Sequence, residues 1–419
     1  MSNREFRMSK WKSVLGSFPS KFGYSLFDIR YSSDLPNSHD LPCENRMNFL
    51  RQERETLERL LPGLDAALTR IPLMEMERPG NPSIPVFRQL GGPGLLIPSR
   101  LGGRGASPLQ AVRAQRAIAC RAPSLAVATT MHHFTIATVL EANSENPGQE
   151  TEMLESVARD KLYVASGFAE GRSGASIQAS ALRMERGQGG IILNGSKKPC
   201  SLSRSMDLFT VSTPPLEGMN AGLAAVIIPA DTPGLERRPF WQSPILAGAE
   251  SDEVILRDVC VGADEFFPLG GPGRQNPVQD RGFVWFELLS TASYLGMASA
   301  LVERVLLSER GGATERVSLA TEVEGAMAAL EGVARAMRPG EWGNDELARM
   351  LLVRYAVHGA IDRAASLAVE LLGGLTFIRS PEVSYLLAAV HVLPLHPPSR
   401  LSAAKSLSEY LLGSPLVLE

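Results

Sequence analysis

Between Tyr163 and Val261 the chain drops the helical spacing of its apolar residues for short β-rich runs, GGIILNG, DLFTVST, GLAAVIIPA and DEVILRDVCV; helical spacing returns from about Phe283 to the end. Runs of this kind, separated by turn formers such as Asp231-Thr232-Pro233-Gly234, pair with one another to satisfy their backbone groups. No helices are interleaved among them, which argues against a doubly wound parallel sheet. The pattern predicts an α+β chain: an antiparallel β middle between two helical regions.

The flanks carry clear helix signals. Phe49, Leu50, Leu57, Leu60, Leu61, Leu64 and Leu68 recur at three- and four-residue steps, the mark of a helix with one buried face. Pro62 is expected to bend or divide it. Ser107-Pro108-Leu109-Gln110 reads as a capping box opening the next helix. After Pro123, SLAVATTMHHFTIATVLEA is apolar nearly all round, as expected of a helix inside a bundle. Asn194-Gly195 reads as a tight hairpin turn. These signals divide the chain into an arm at residues 1–45, an α domain at 46–162, a β domain at 163–267 and a helical bundle at 275–419.

Composition narrows the function. A net charge of -3, from 42 basic and 45 acidic residues, gives no electrostatic case for nucleic acid or an anionic membrane. Cys43, Cys120, Cys200 and Cys260 stand far apart without metal-ligand or disulfide-framework spacing. No run approaches the ~20 apolar residues of a membrane span, and the first residues lack an apolar stretch with a cleavage site. A cytoplasmic protein acting on a small or carrier-bound substrate is the expectation.

Several motifs follow one another in a familiar order. LLIPSRLGGRGAS, GFAEGRSGAS, ILNGSKKPCS, AGAESDEVILRDVCV, LVERVLLSER and ELLGGLTF together resemble the acyl-CoA dehydrogenase superfamily over roughly residues 85–405. The resemblance implies an N-terminal helical domain, a middle β-barrel or sandwich and a C-terminal four-helix bundle that enclose FAD. By the same resemblance the loop at Phe168 and Ala169 meets the flavin pyrimidine edge, and Ser201 hydrogen-bonds flavin N5. Arg310 reaches the cofactor pyrophosphate, and Gly373-Gly374 approaches the cofactor of a partner subunit, so a homodimer or homotetramer is implied. Physically, short Gly- and hydroxyl-bearing loops expose amides to planar acceptors, and a guanidinium fork suits phosphate.

The departures bear on the chemistry. The superfamily's thioester oxidation needs a carboxylate base opposite the flavin, and by register from Gly373 its position falls on Pro397. A second branch supplies its Glu from the first helix of the bundle. Glu287 lies one residue from that position, where many members carry Arg, and one step rotates a side chain by about 100°. Trp285, Phe286, Leu288 and Leu289 would desolvate it and raise its pKa. His391 and His396 flank the lost position, and His-Pro sequences here resemble the flavin hydroxylases of the superfamily; His132 and His133 read as satisfied core residues. Pro199 replaces the Trp over the flavin, Ala175 a substrate-side Ser, and Gly311-Gly312-Ala313 the residues after the pyrophosphate Arg.

The leading expectation is therefore an FAD-dependent oxidoreductase, probed first at Glu287 as base and His396 as pocket residue. It would oxidise or desaturate an acyl or aminoacyl thioester on coenzyme A or a carrier protein, in specialised metabolism, passing electrons to a partner. The alternatives are a two-component monooxygenase that hydroxylates carbon or nitrogen with flavin from a reductase, and a binding or scaffold relative without catalysis.

Overall fold

The computed structural model describes residues 47–145, 150–171, 180–219, 221–269, 277–338 and 343–418. The N-terminal arm, residues 172–179 with Ala175, and most of the Gly-Pro segment after Leu269 lie outside them. The chain divides into Met1–Met47 and Asn48–Glu419, and the architecture below is that of the second unit.

The first helical stretch breaks at Leu61 to Gly63, where Pro62 cannot donate to the helix, leaving α1 (Arg51–Leu60) and α2 (Leu64–Thr69). Two short helices, α3 (Leu73–Met76) and α4 (Ser83–Gln89), lead to α5 (Pro108–Arg121), α6 (Pro123–Glu145) and α7 (Glu150–Asp160). The capping box at α5 forms as expected: Ser107 Oγ accepts from Gln110 N at 3.3 Å and Gln110 Oε1 from Ser107 N at 2.9 Å.

The middle holds β1 (Val164–Gly167), β2 (Arg183–Gly187), β3 (Gly190–Cys200), β4 (Leu208–Thr213), β5 (Leu223–Pro229), β6 (Leu235–Arg238), β7 (Asp252–Val261) and β8 (Phe266–Leu269). They form two four-stranded sheets, ordered β1-β4-β5-β8 and β2-β3-β7-β6. The pairing is antiparallel except that β1 lies parallel to β4, a non-local pairing that no hairpin signal encodes. Asn194-Gly195 is not a hairpin turn. It lies inside β3 at a bulge facing β7, with Gly195 at φ 143°, while Asn194 exchanges hydrogen bonds with Asp258 at 3.0 and 2.9 Å. The turn falls six residues earlier, at Gln188-Gly189 between Gly187 and Gly190.

The bundle comprises α8 (Pro277–Leu307), α9 (Ala313–Ala336), α10 (Asn344–Leu372) and α12 (Pro381–Val390), with α11 (Gly374–Arg379) and α13 (Arg400–Leu411) at its margins. α8 is the axis, packing on α5, α6, α10 and α12, which is why nearly every side chain along it is buried. Gly296 permits a close approach to α5: a Cβ there would lie 2.4 Å from the Arg116 carbonyl. No helix among the described residues is long and apolar enough to cross a membrane.

Candidate active site

α6 and α8 run antiparallel, in a register set by three contacts. Thr130 Oγ1 lies 3.3 Å from Ser293 Oγ, the rings of Phe134 and Phe286 lie 5.9 Å apart, and Glu141 pairs with Arg281 at 3.8 Å. Phe168, just past β1, packs edge-on against Phe134 at 6.1 Å; Phe286 meets His396 at 6.0 Å, and His396 meets Tyr294 at 5.5 Å. A line of rings thus runs from the end of β1 to the turn after α12. Three expected residues, Phe168, Glu287 and His396, lie on or beside it.

The β side of this line offers unused donors. The amides of Phe168 and Ala169 meet no acceptor among the described residues, while the Ala169 carbonyl accepts from Lys198 N at 2.9 Å. Ser201, which follows β3, shares a hydrogen bond with Ser251 at 3.0 Å, so one of the two hydroxyl protons remains for another acceptor. Two amides with no acceptor among the described residues, and a spare hydroxyl, suit the acceptor edge of a flavin ring. The loop is held from beneath. Gly171, at φ 62°, lies so close to β3 that a Cβ would strike the Lys198 side chain at 2.3 Å. Lys197, fully buried, donates to Ser180 Oγ at 3.0 Å, to Ser212 Oγ at 2.9 Å and to the Glu170 carboxylate. Burial pushes its ammonium pKa down, and Glu170 opposes that shift.

Glu287 does not present a free carboxylate. Arg354 Nη1 donates to Glu287 Oε1 at 3.0 Å and Oε2 at 2.8 Å, and both side chains are buried. Burial pushes the Glu287 carboxyl up to about 7, with Arg354 pulling the other way. The same guanidinium donates to the carbonyls of Leu393 at 2.9 Å, His396 at 2.7 Å and Pro398 at 3.2 Å. Arg354 therefore ties α8 to the turn that carries His396. That turn presents the ring, half-buried, with Nε2 at 2.7 Å from the Tyr294 hydroxyl. Burial, aided by the Arg354 charge, lowers the imidazole to about 4 and keeps it neutral.

The other histidines stand elsewhere. His391 is exposed and contacts Asp362 at 3.1 Å. His132 is a satisfied core residue: Nδ1 accepts from Val164 N at 3.0 Å, leaving Nε2 to donate to the Pro93 carbonyl at 2.8 Å. His133 departs from expectation, since both buried ring nitrogens lack partners among the described residues; the rings of His132 and Phe87 lie near it at 5.1 and 6.0 Å.

Arg310 and Gly373-Gly374 gather at the opposite end of the bundle. Arg310 is exposed beyond α8, and a Cβ on neighbouring Gly311 would touch Leu371, just before Gly373. Thirteen helical residues separate Tyr294, at the near end of the ring line, from Leu307, about 20 Å at 1.5 Å per residue, so Arg310 stands well away from the ring line of its own chain. Arg354 and Tyr294 were missed from sequence; the only signal was an Arg at the centre of the apolar run MLLVRYAV and a Tyr two turns after Glu287.

No protein-family model matches the chain. It is 46% identical over 378 residues, 88% of its length and all of the relative's, to isobutylamine N-hydroxylase of Streptomyces viridifaciens. Among solved structures it resembles KijD3 in complex with FMN and an amino-deoxysugar nucleotide (19% identity, TM-score 0.74, 87% of this chain and 94% of that one). It also resembles the prolyl acyl carrier protein oxidase AnaB (18%, TM-score 0.73, 86% and 99%). With helices, two β sheets and a four-helix bundle in the order those folds share, and close identity to the N-hydroxylase along its whole length, the chain belongs to the acyl-CoA dehydrogenase superfamily of flavin-dependent oxidoreductases.

Proposed function

We propose that the protein is a flavin-dependent monooxygenase that hydroxylates the nitrogen of a small primary amine, using reduced flavin delivered by a separate reductase. The observation that carries this reading is the state of the carboxylate positions. The usual base position holds Pro397, and Glu287 gives both oxygens to Arg354. Abstraction of an α-proton from a thioester needs a free base; an amine nitrogen brings its own lone pair. The identity to isobutylamine N-hydroxylase and the likeness to KijD3 with FMN support the same choice.

Phe168 and Ala169 amides and the Ser201–Ser251 hydroxyl pair would hold the flavin ring. Reduced flavin with dioxygen supplies one oxygen atom to the nitrogen and releases the other as water. The protein's own part is to place the amine and keep water out: Phe134, Phe168 and Phe286 line the approach, and His396 supplies the polar contact. With Gly311-Gly312-Ala313 at the position of the superfamily's cofactor-arm residues, FMN is expected to serve at least as well as FAD. Arg310, about 20 Å along the helix from Tyr294, and Gly373-Gly374 at the same end of the bundle would act on a second copy of the chain, so we assign a homo-oligomer.

The test is direct. Purified protein supplied with FMN, a flavin reductase and isobutylamine under ¹⁸O₂ should yield the hydroxylamine carrying one labelled oxygen. Oxidation of a carrier-bound aminoacyl thioester without oxygen incorporation, and no amine product, would overturn the reading.

A further inference from the structure

The Tyr294 hydroxyl is enclosed on α8, and its one hydrogen-bond partner among the described residues is His396 Nε2 at 2.7 Å. A buried phenol proton needs an acceptor. Burial holds Tyr294 in its protonated form, so that proton has to go to Nε2. Hydrogen positions follow from the network in such a case, and among the described residues Nε2 is the acceptor within reach of that proton. With Nε2 accepting, the neutral ring carries its proton on Nδ1. Nδ1 is not among the enclosed atoms and has no partner among the described residues. Beside the His396 ring lies Phe286, and His396 and Tyr294 line a narrow crevice together with Val127, Thr130, Met131 and Ser290.

We propose that Tyr294 fixes the tautomer of His396, so that the site presents substrate with an Nδ1–H donor rather than a base. Arg354 completes the arrangement from the backbone side: by holding the Leu393, His396 and Pro398 carbonyls it sets where the turn places the ring. Tyr294 and Arg354 are thus positioning residues, and His396 is the group that touches the ligand. The ligand class follows from the donor. The oxygen that the nitrogen acquires can accept Nδ1–H, as in the product hydroxylamine, which leaves the amine's single lone pair free to form the N–O bond. This deepens the amine-hydroxylase reading and rests on it for the ligand, though not for the tautomer.

The experiment uses the full chain labelled with ¹⁵N-histidine, with the His396 signals assigned by their loss in His396→Gln. Two-bond proton–nitrogen correlation should show a protonated Nδ1 and an unprotonated Nε2 in the unmodified protein. Tyr294→Phe should move His396 toward the Nε2–H form and lower kcat at least tenfold with little change in KM. A protonated Nε2 in the unmodified protein, or a tautomer indifferent to Tyr294→Phe, overturns the proposal. The unmodified protein alone decides the first point even if the variant folds poorly. An Nδ1–H tautomer in a protein that hydroxylates no amine would sustain the tautomer and reject the amine-hydroxylase reading.

Discussion

Arg354 and Glu287 form a buried ion pair in which one guanidinium nitrogen meets both carboxylate oxygens, at 2.8 and 3.0 Å. The pair occupies both oxygens of a residue that reads from sequence as a catalytic base. Among the described residues its guanidinium alone joins Glu287 of α8 to the carbonyls of the His396 turn, so the two roles cannot be separated by mutation at Arg354 alone.

Removing one partner of a buried pair leaves the other uncompensated, at a cost of about 3–5 kcal/mol. Glu287→Ala should therefore lower the denaturation midpoint sharply. Glu287→Gln keeps an acceptor for Arg354 and should retain turnover of the amine. A well-folded but inactive Glu287→Gln protein would restore Glu287 as a base.

Taking away a single donor to developing charge costs a factor on the order of 10²–10³ in kcat in enzymes that rely on such donors. His396→Leu should lose activity on that scale. Its affinity for flavin should stay unchanged, because the donors expected for the ring lie at Phe168, Ala169 and Ser201. Fluorescence titration with FMN separates the two quantities.

Lys197→Met would strand Glu170 beneath the loop that carries those amides. Flavin affinity should fall at least tenfold, while Lys197→Arg, which keeps the charge, should recover part of it. Equilibrium titration with FMN and with FAD measures both; unaltered affinity in Lys197→Met would free the loop from this strut.

Glu77 supplies a pH signature. It is enclosed, accepts from Ser124 N at 3.0 Å and from the Ser124 and Tyr385 hydroxyls, and burial raises it from 4.5 to about 7. A carboxyl whose folded pKa exceeds its unfolded one binds protons more tightly in the native state, so its contribution is full below about 4.5 and is lost as pH rises through about 7. At about 1.4 kcal/mol per unit the loss is about 3 kcal/mol. Glu77→Gln should flatten the stability curve over that window in denaturant titrations.

The fold was legible because its signals are local. Pro62 stops a helix, Ser107 and Gln110 cap one, and the change from helical to alternating apolar spacing near Tyr163 is visible without a partner strand. The parallel β1–β4 pair and the bulge at Asn194-Gly195 were not legible, since both depend on strands far apart in sequence. The site divides the same way. Phe168 and His396 lie in motifs with spacing of their own, while the meaning of Glu287 depended on Arg354, 67 residues away, which no local pattern ties to it.

The Glu77 knot has a consequence for traffic into the molecule. Its carboxyl joins the start of α6 to Tyr385 of α12, and the Tyr385 hydroxyl accepts from Leu246 N of the β region at 2.8 Å. Three parts of the chain are thereby riveted at one spot, so they do not swing apart like the halves of a shell. Any movement that admits a molecule to the rings is then smaller than a parting of these three elements.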